Sequence, residues 1–225
     1  MTPFEIRALL DELGRRLGDD VAKFWRTISG SVSSDEFRSM IVSAYPGIVT
    51  PYAASAAELG AEWYASQPST SKYRPKVGDL PTVGRLEGSA SWALAVGSGD
   101  AAVTLLQGAA TRALFDGLRE TVMTNVSAER GAKWARHASA NACGWCRMIA
   151  TRHVGDAATF YSSESAAGGD GNRYHDHCHC FATAIRPGQS YEPPAYVEKW
   201  NDDYKAAAKE SGDPKVIARL MNPTH

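Results

Sequence analysis

Apolar residues recur every three or four positions over long stretches of this chain, a period that predicts helices. Between residues 2 and 28, Phe4, Ile6, Leu9, Leu10, Leu13, Leu17, Val21, Phe24, Trp25 and Ile28 draw one stripe along a helix. Thr2 is placed to cap it, Pro3 suits the first helical position, and Glu5 can reach back to close a capping box. Gly14 and Gly18 weaken the middle, which leaves one helix or two shorter ones open, and Gly30 ends the run. Ser33 with Glu36 repeats the box and starts a helix through Phe37, Met40 and Ile41 that Pro46 is expected to stop. Thr50-Pro51 opens a third helix with Tyr52, Ala56, Leu59 and Trp63, whose apolar stripe reads as core packing, with a ligand pocket as the alternative.

Periodicity disappears between Gln67 and Leu86, where Pro68, Ser69, Pro75, Gly78, Pro81 and Gly84 predict an exposed connection, a hinge or a partner-binding arm. A short helix is expected over Ala90 to Ala95. Asp100 can cap a long one carrying Val103, Leu105, Leu106, Leu114, Phe115, Leu118, Val122 and Met123. Arg130, Lys133, Arg136 and His137 around Trp134 read as a solvated helix face, with a phosphate-contacting surface as the alternative. Phe181-Ala-Thr-Ala-Ile185 alternates as a short strand that Arg186-Pro-Gly ends. Pro193-Pro194 leads into a polar helix from about 195 to 210 with Tyr196, Val197, Trp200 and Tyr204 on one side, and 222–225 reads as a frayed tail or docking peptide. The expected class is mostly α: a helical body over 1–129, a small α+β Cys/His module of the zinc type over 130–190, and a C-terminal helix and tail over 191–225.

Composition narrows the partners. The chain has 225 residues and a formal net charge of -1, so no global positive field recruits nucleic acid. A local patch stays open. The start, Met1-Thr-Pro-Phe-Glu, lacks a basic head followed by an apolar run, and no stretch approaches the ~20 apolar residues that span a bilayer. The expectation is a soluble protein folding in a reducing cytoplasm, with no membrane partner and no small-molecule substrate.

All four cysteines lie in two short segments, Cys143-Gly-Trp-Cys146 and His175-Asp-His-Cys178-His-Cys180. Two close pairs of soft ligands separated by one loop is the layout of a structural zinc site. Two disulfides would be the reading for a secreted protein. In a C-x-x-C turn both sulfurs can face one point. In an extended strand Cys178 and Cys180 share a face, and His175, His177 and His179 share the other. That spacing favours Cys143, Cys146, Cys178 and Cys180 as ligands; if a turn intervenes, His175 replaces one of the cysteines. A closed thiolate site leaves no open position for water or substrate. A catalytic version would draw on Asp176, His177, His179, Glu164 and Asp170.

The order Trp134, C-x-x-C at Cys143 and Cys146, a variable loop, then H-x-x-C-x-C at His175, Cys178 and Cys180 resembles the C-terminal module of phage minor head proteins, the family named after protein F of phage Mu. It is most similar to the branch encoded by phages of actinobacteria, in stretches such as Tyr161-Ser-Ser-Glu-Ser-Ala-Ala-Gly-Gly and Tyr174-His-Asp-His-Cys-His-Cys. The resemblance covers roughly 130–186. Two positions depart from the broader family, which usually has Arg where this chain has His179 and often Pro where it has Asp176. The resemblance implies a virion component, present in the host cytoplasm during assembly, that joins the prohead near the portal vertex and contacts portal, scaffold or major capsid protein, with a contact to packaged DNA left open.

Relatives in that branch are often labelled capsid maturation proteases, so whether the chain is an enzyme stays open. Serine catalysis needs an activated Ser paired with a His, yet Ser139 near His137, and Ser162 or Ser163 near His153, sit in no nucleophile-elbow context. A nuclease of the HNH kind is the further alternative, with His175-Asp176-His177 resembling the start of its site. Such enzymes need a following ligand His or Asn on a helix and usually a second C-x-x-C, and no second C-x-x-C comes after Cys180.

Overall fold

The computed structural model describes residues 1–29, 34–154, 160–162, 174 and 177–222. The protein is mostly α-helical, with one two-stranded sheet in its C-terminal part. It divides into two compact units, each drawn from separate stretches of chain. The first comprises Met1–Ser66, Pro75–Thr121 and Tyr174–Cys178; the second comprises Gln67–Arg74, Val122–Arg173 and His179–His225.

In the first unit α1 (Pro3–Ile28) is one continuous helix, with the Thr2/Glu5 capping box formed. Gly14 and Gly18 do not break it, because Ile6, Leu10, Leu17, Val21 and Ile28 bury one stripe. Each such side chain contributes about 1.5–3 kcal/mol on burial, more than the roughly 1 kcal/mol that a helical glycine forfeits.

The helix α2 (Ser34–Ser66) corrects an expectation. It runs through Pro46 and Pro51 instead of stopping at the first and restarting at the second. A proline ring removes one backbone hydrogen bond and crowds the carbonyl four residues back. Here tertiary burial of Ile41, Tyr45, Pro46, Val49 and Ala53 on both sides of that defect holds the helix together. Ser33, expected to cap it, lies outside the described residues.

α3 (Val83–Val96) is longer than expected and starts at Thr82, whose hydroxyl accepts from the Arg85 N–H. α4 (Asp100–Ala128) supplies the unit's central contacts up to Thr121. The Tyr45 hydroxyl donates to the Leu106 carbonyl at 2.8 Å, and Gln107 Nε2 donates to the Gly18 carbonyl at 2.9 Å. At the crossing of α2 and α4 a Cβ on Gly117 would strike the Ala53 carbonyl oxygen, so glycine there sets how closely the two backbones approach.

In the second unit Gly131, shortly after α4, takes φ +84, a left-handed conformation suited to glycine that turns the chain away from helix. The chain then continues as a strand, β1 (Lys133–His137), which corrects the expected helix face: Trp134, Arg136 and His137 are all buried. β1 pairs antiparallel with β2 (Phe181–Ile185), His137 opposite Phe181 and Lys133 opposite Ile185. On its other edge Trp134 and Tyr161 exchange both backbone hydrogen bonds at 2.8 Å, and their ring centroids lie 4.5 Å apart with the planes tilted by 34°. A strand paired on both edges and buried on both faces loses the apolar/polar alternation that would have announced it. Among its described residues the unit also holds the helices α5 (Gly144–Ala150), α6 (Tyr196–Glu210) and α7 (Pro214–Leu220), the last capped by Asp213, and a 3-10 turn at Thr151–His153.

The segment 67–82 has no regular secondary structure, as its Pro and Gly content implies, yet it is pinned along its length. In the second unit Arg186 donates to the carbonyls of Gln67 at 3.1 Å and Tyr73 at 3.2 Å. In the first, the Gly78 N–H donates to Thr121 Oγ1 at 3.0 Å.

Candidate metal centre

The C-x-x-C pair sits at the start of a helix. Cys143 is the N-cap residue of α5 and Cys146 lies in its first turn. Gly144 between them is dictated by packing, since a Cβ there would strike the Ala218 carbonyl of α7, and its N–H donates to Asn222 Oδ1 at 2.7 Å. Arg147 ties the approach to the helix down, donating to the carbonyls of Ala142 at 2.8 Å and Ala140 at 3.2 Å.

Cys178 and Cys180 lie on the chain leading into β2, before the strand begins. The extended run expected to include them is interrupted at His177, which takes φ 57 in a turn. Within the first unit the imidazole of His177 lies against Gly108 of α4, where a Cβ would collide with Nε2. Arg119, fully buried on α4, holds the same segment. Its guanidinium lies 3.8 Å from the centroid of the Tyr174 ring, donates to the Cys178 carbonyl at 2.5 Å, and pairs with Asp116 at 2.9 Å.

The sulfurs of Cys146, Cys178 and Cys180 lie within 4.8 Å of one another, and all three residues are buried, at 1–2% exposure. Tetrahedral zinc with Zn–S bonds of ~2.3 Å places its sulfurs ~3.8 Å apart, so the cluster needs little adjustment to close on an ion. The donor set fits a soft divalent metal. Cys146, Cys178 and Cys180 would hold it as thiolates, and it would supply a cross-link between the C-x-x-C helix and the chain entering β2. Within the second unit the buried guanidinium of Arg136 reaches Cys146 Sγ at 4.0 Å, placing a positive charge beside a site that gathers negative sulfur.

Cys143 is half-buried and stands outside the three-sulfur cluster, and its side chain does not cap α5. His175, the candidate replacement ligand, lies outside the described residues, as do Asp176, Ser163, Glu164 and Asp170. His177 is exposed and His179 half-buried.

The sheet beneath the cysteines is held by polar groups. His153 Nε2 accepts from the Arg136 N–H at 3.1 Å, and its ring stacks on Phe160. His137 lies against Phe181, with Nδ1 3.2 Å from the Tyr191 hydroxyl. Burial pushes that phenol well above its ordinary pKa, so it stays protonated. Arg186, just after β2, donates from Nε and Nη2 to the two carboxylate oxygens of Glu129 at 2.9 and 3.0 Å, a fork in which both partners are buried. In the sequence Arg136 appears only in a basic run and Arg186 only at the end of a strand, with nothing to mark either as buried. The one available signal is Arg119 on the apolar stripe of α4, beside Leu118 and Val122.

Fold and site together define a mostly helical protein whose C-terminal part gathers three buried thiols able to hold a metal ion. The family model described as VG15 protein matches residues 4–207, and the chain belongs to that family of phage proteins. No curated protein and no solved structure matches it. Among the described residues, no helix is long and apolar enough to cross a membrane.

Proposed function

We propose that this phage protein is a minor head protein of the phage Mu protein F type. In this reading it joins the prohead near the portal vertex, contacts portal, scaffold or major capsid protein, and carries zinc as a structural staple. Its location is the virion, and the host cytoplasm during assembly. The observation that carries the reading is the convergence of Cys146, Cys178 and Cys180, three of the cysteine positions matched to the minor-head module, in a chain of a phage family. Burial of all three supports a structural role for the metal, because a catalytic ion needs a position open to water or substrate.

The test is to purify proheads and mature particles and to quantify this chain by mass spectrometry, with chemical cross-linking to locate its neighbours. The expected result is a chain present in proheads at a copy number far below the major capsid protein and cross-linked to the portal or its immediate surroundings. Absence from both particles would overturn the proposal.

A further inference from the structure

A groove of about 420 Å³ runs along the outer side of the α1–α2 pair, within the first unit. Its apolar lining is Leu9, Leu13 and Leu59; Leu9 is 46% exposed and Leu13 half-buried, whereas Leu10 and Leu17 on the same helix are fully buried. Its rim is acidic, formed by Glu12, Glu58 and Glu62. The single cation at the groove, Arg16, is bound to Glu12 at 2.6 Å. Glu58 and Glu62 are four residues apart on α2, so two like charges stand on neighbouring turns. That arrangement is unfavourable on a helix, and a cation placed between them would relieve it.

We propose that this groove docks a basic amphipathic helix of a partner protein. Leu, Ile or Met side chains repeating at helical spacing would enter between Leu9, Leu13 and Leu59, and Lys or Arg flanking them would meet Glu58 and Glu62. An apolar floor with charge of one sign along its edge is the arrangement by which grooves read an amphipathic helix: the floor supplies affinity, and the rim selects the charge and orientation of the ligand. The surface carries no chemistry of its own, and the inference does not depend on the minor-head reading.

The experiment uses the full chain and a fluorescein-labelled helical peptide of Leu and Lys, with Leu at three- and four-residue spacing. Binding is followed by anisotropy and mapped by hydrogen exchange. Two control peptides carry the same composition in scrambled order and Glu in place of Lys. The Lys peptide is expected to bind and to protect α1 around Leu9–Leu13 and α2 around Glu58–Glu62. The double variant Glu58→Lys/Glu62→Lys should weaken binding about tenfold or more and transfer preference to the Glu peptide. Leu9→Ser, also at an exposed position, should weaken binding without that change of preference. Affinity weaker than about 1 mM, equal binding of the scrambled peptide, or an unchanged affinity in the charge-reversed variant would overturn the proposal. So would sedimentation showing that the chain self-associates without peptide and that Leu9→Ser abolishes it, since the occupant would then be a second copy.

Discussion

The two units solve the problem of holding a core in different ways. In the first, α1 and α2 bury stripes of Ile, Leu, Val and Ala, and closeness comes from small residues such as Ala53 and Gly117 at the crossing with α4. In the second, which holds a sheet of two five-residue strands, the apolar core of Trp134, Met148, Ile149, Phe181, Trp200 and Ile217 is interleaved with buried polar groups. Among the described residues, three buried polar side chains belong to the first unit and eight to the second. The second unit is therefore specified by pairings such as Arg186 with Glu129 and Arg136 with His153 as well as by shape, where the first relies mainly on shape. Such modules gain stability from discrete bonds and lose it in discrete steps.

The largest expected effect breaks a pairing. Arg186→Ala leaves the Glu129 carboxylate buried without its fork and releases the carbonyls of Gln67 and Tyr73, so a loss of about 3–5 kcal/mol is expected in urea unfolding. Replacing both partners, as Arg186→Met with Glu129→Leu, should cost less than Arg186→Ala alone, because no uncompensated charge remains. If the double variant is the worse of the two, the account of the second unit fails. In the first unit, Leu17→Ala should lose about 2–5 kcal/mol by leaving a cavity, to the same extent with and without a chelator.

The smallest effect concerns the helix surface. Arg15 and then Arg16 hold the Glu12 carboxyl at about 2, below its ordinary 4.5. A carboxylate depressed in the folded state adds stability that is fully present above the unfolded value and is lost as pH falls through the folded one. The melting temperature of Glu12→Gln should therefore lie slightly below wild type at pH 7 and merge with it between pH 4.5 and 2. The solvent screening at this surface position limits the difference to a small one.

Legibility follows the same division. The Thr2/Glu5 box, the strand at 181–185 and the helix after Pro193-Pro194 can be read from the chain because each is a local signal: a cap, a short alternating run, a punctuation mark. The passage of α2 through Pro46 and Pro51 cannot, because burial of residues from Ile41 to Ala53 outweighs a local penalty. β1 is hidden for a related reason. Arg136 and His137 look like solvent-facing charges, and what buries them, His153 and Tyr191, arrives from 17 and 54 residues away. At the metal centre the spacing of Cys178 and Cys180 brings both sulfurs to Cys146, whereas the turn at His177 depends on its fit against Gly108, a contact that no spacing rule contains.

The central claim is that the three converging cysteines hold a metal ion that ties the C-x-x-C helix to the chain entering β2. The direct test is elemental analysis of protein purified under reducing, chelator-free conditions, as wild type and as Cys146→Ser and Cys178→Ser. The account predicts about one zinc per wild-type chain, lost in both variants. Wild-type protein without metal, or zinc retained at the wild-type level in both variants, would contradict it.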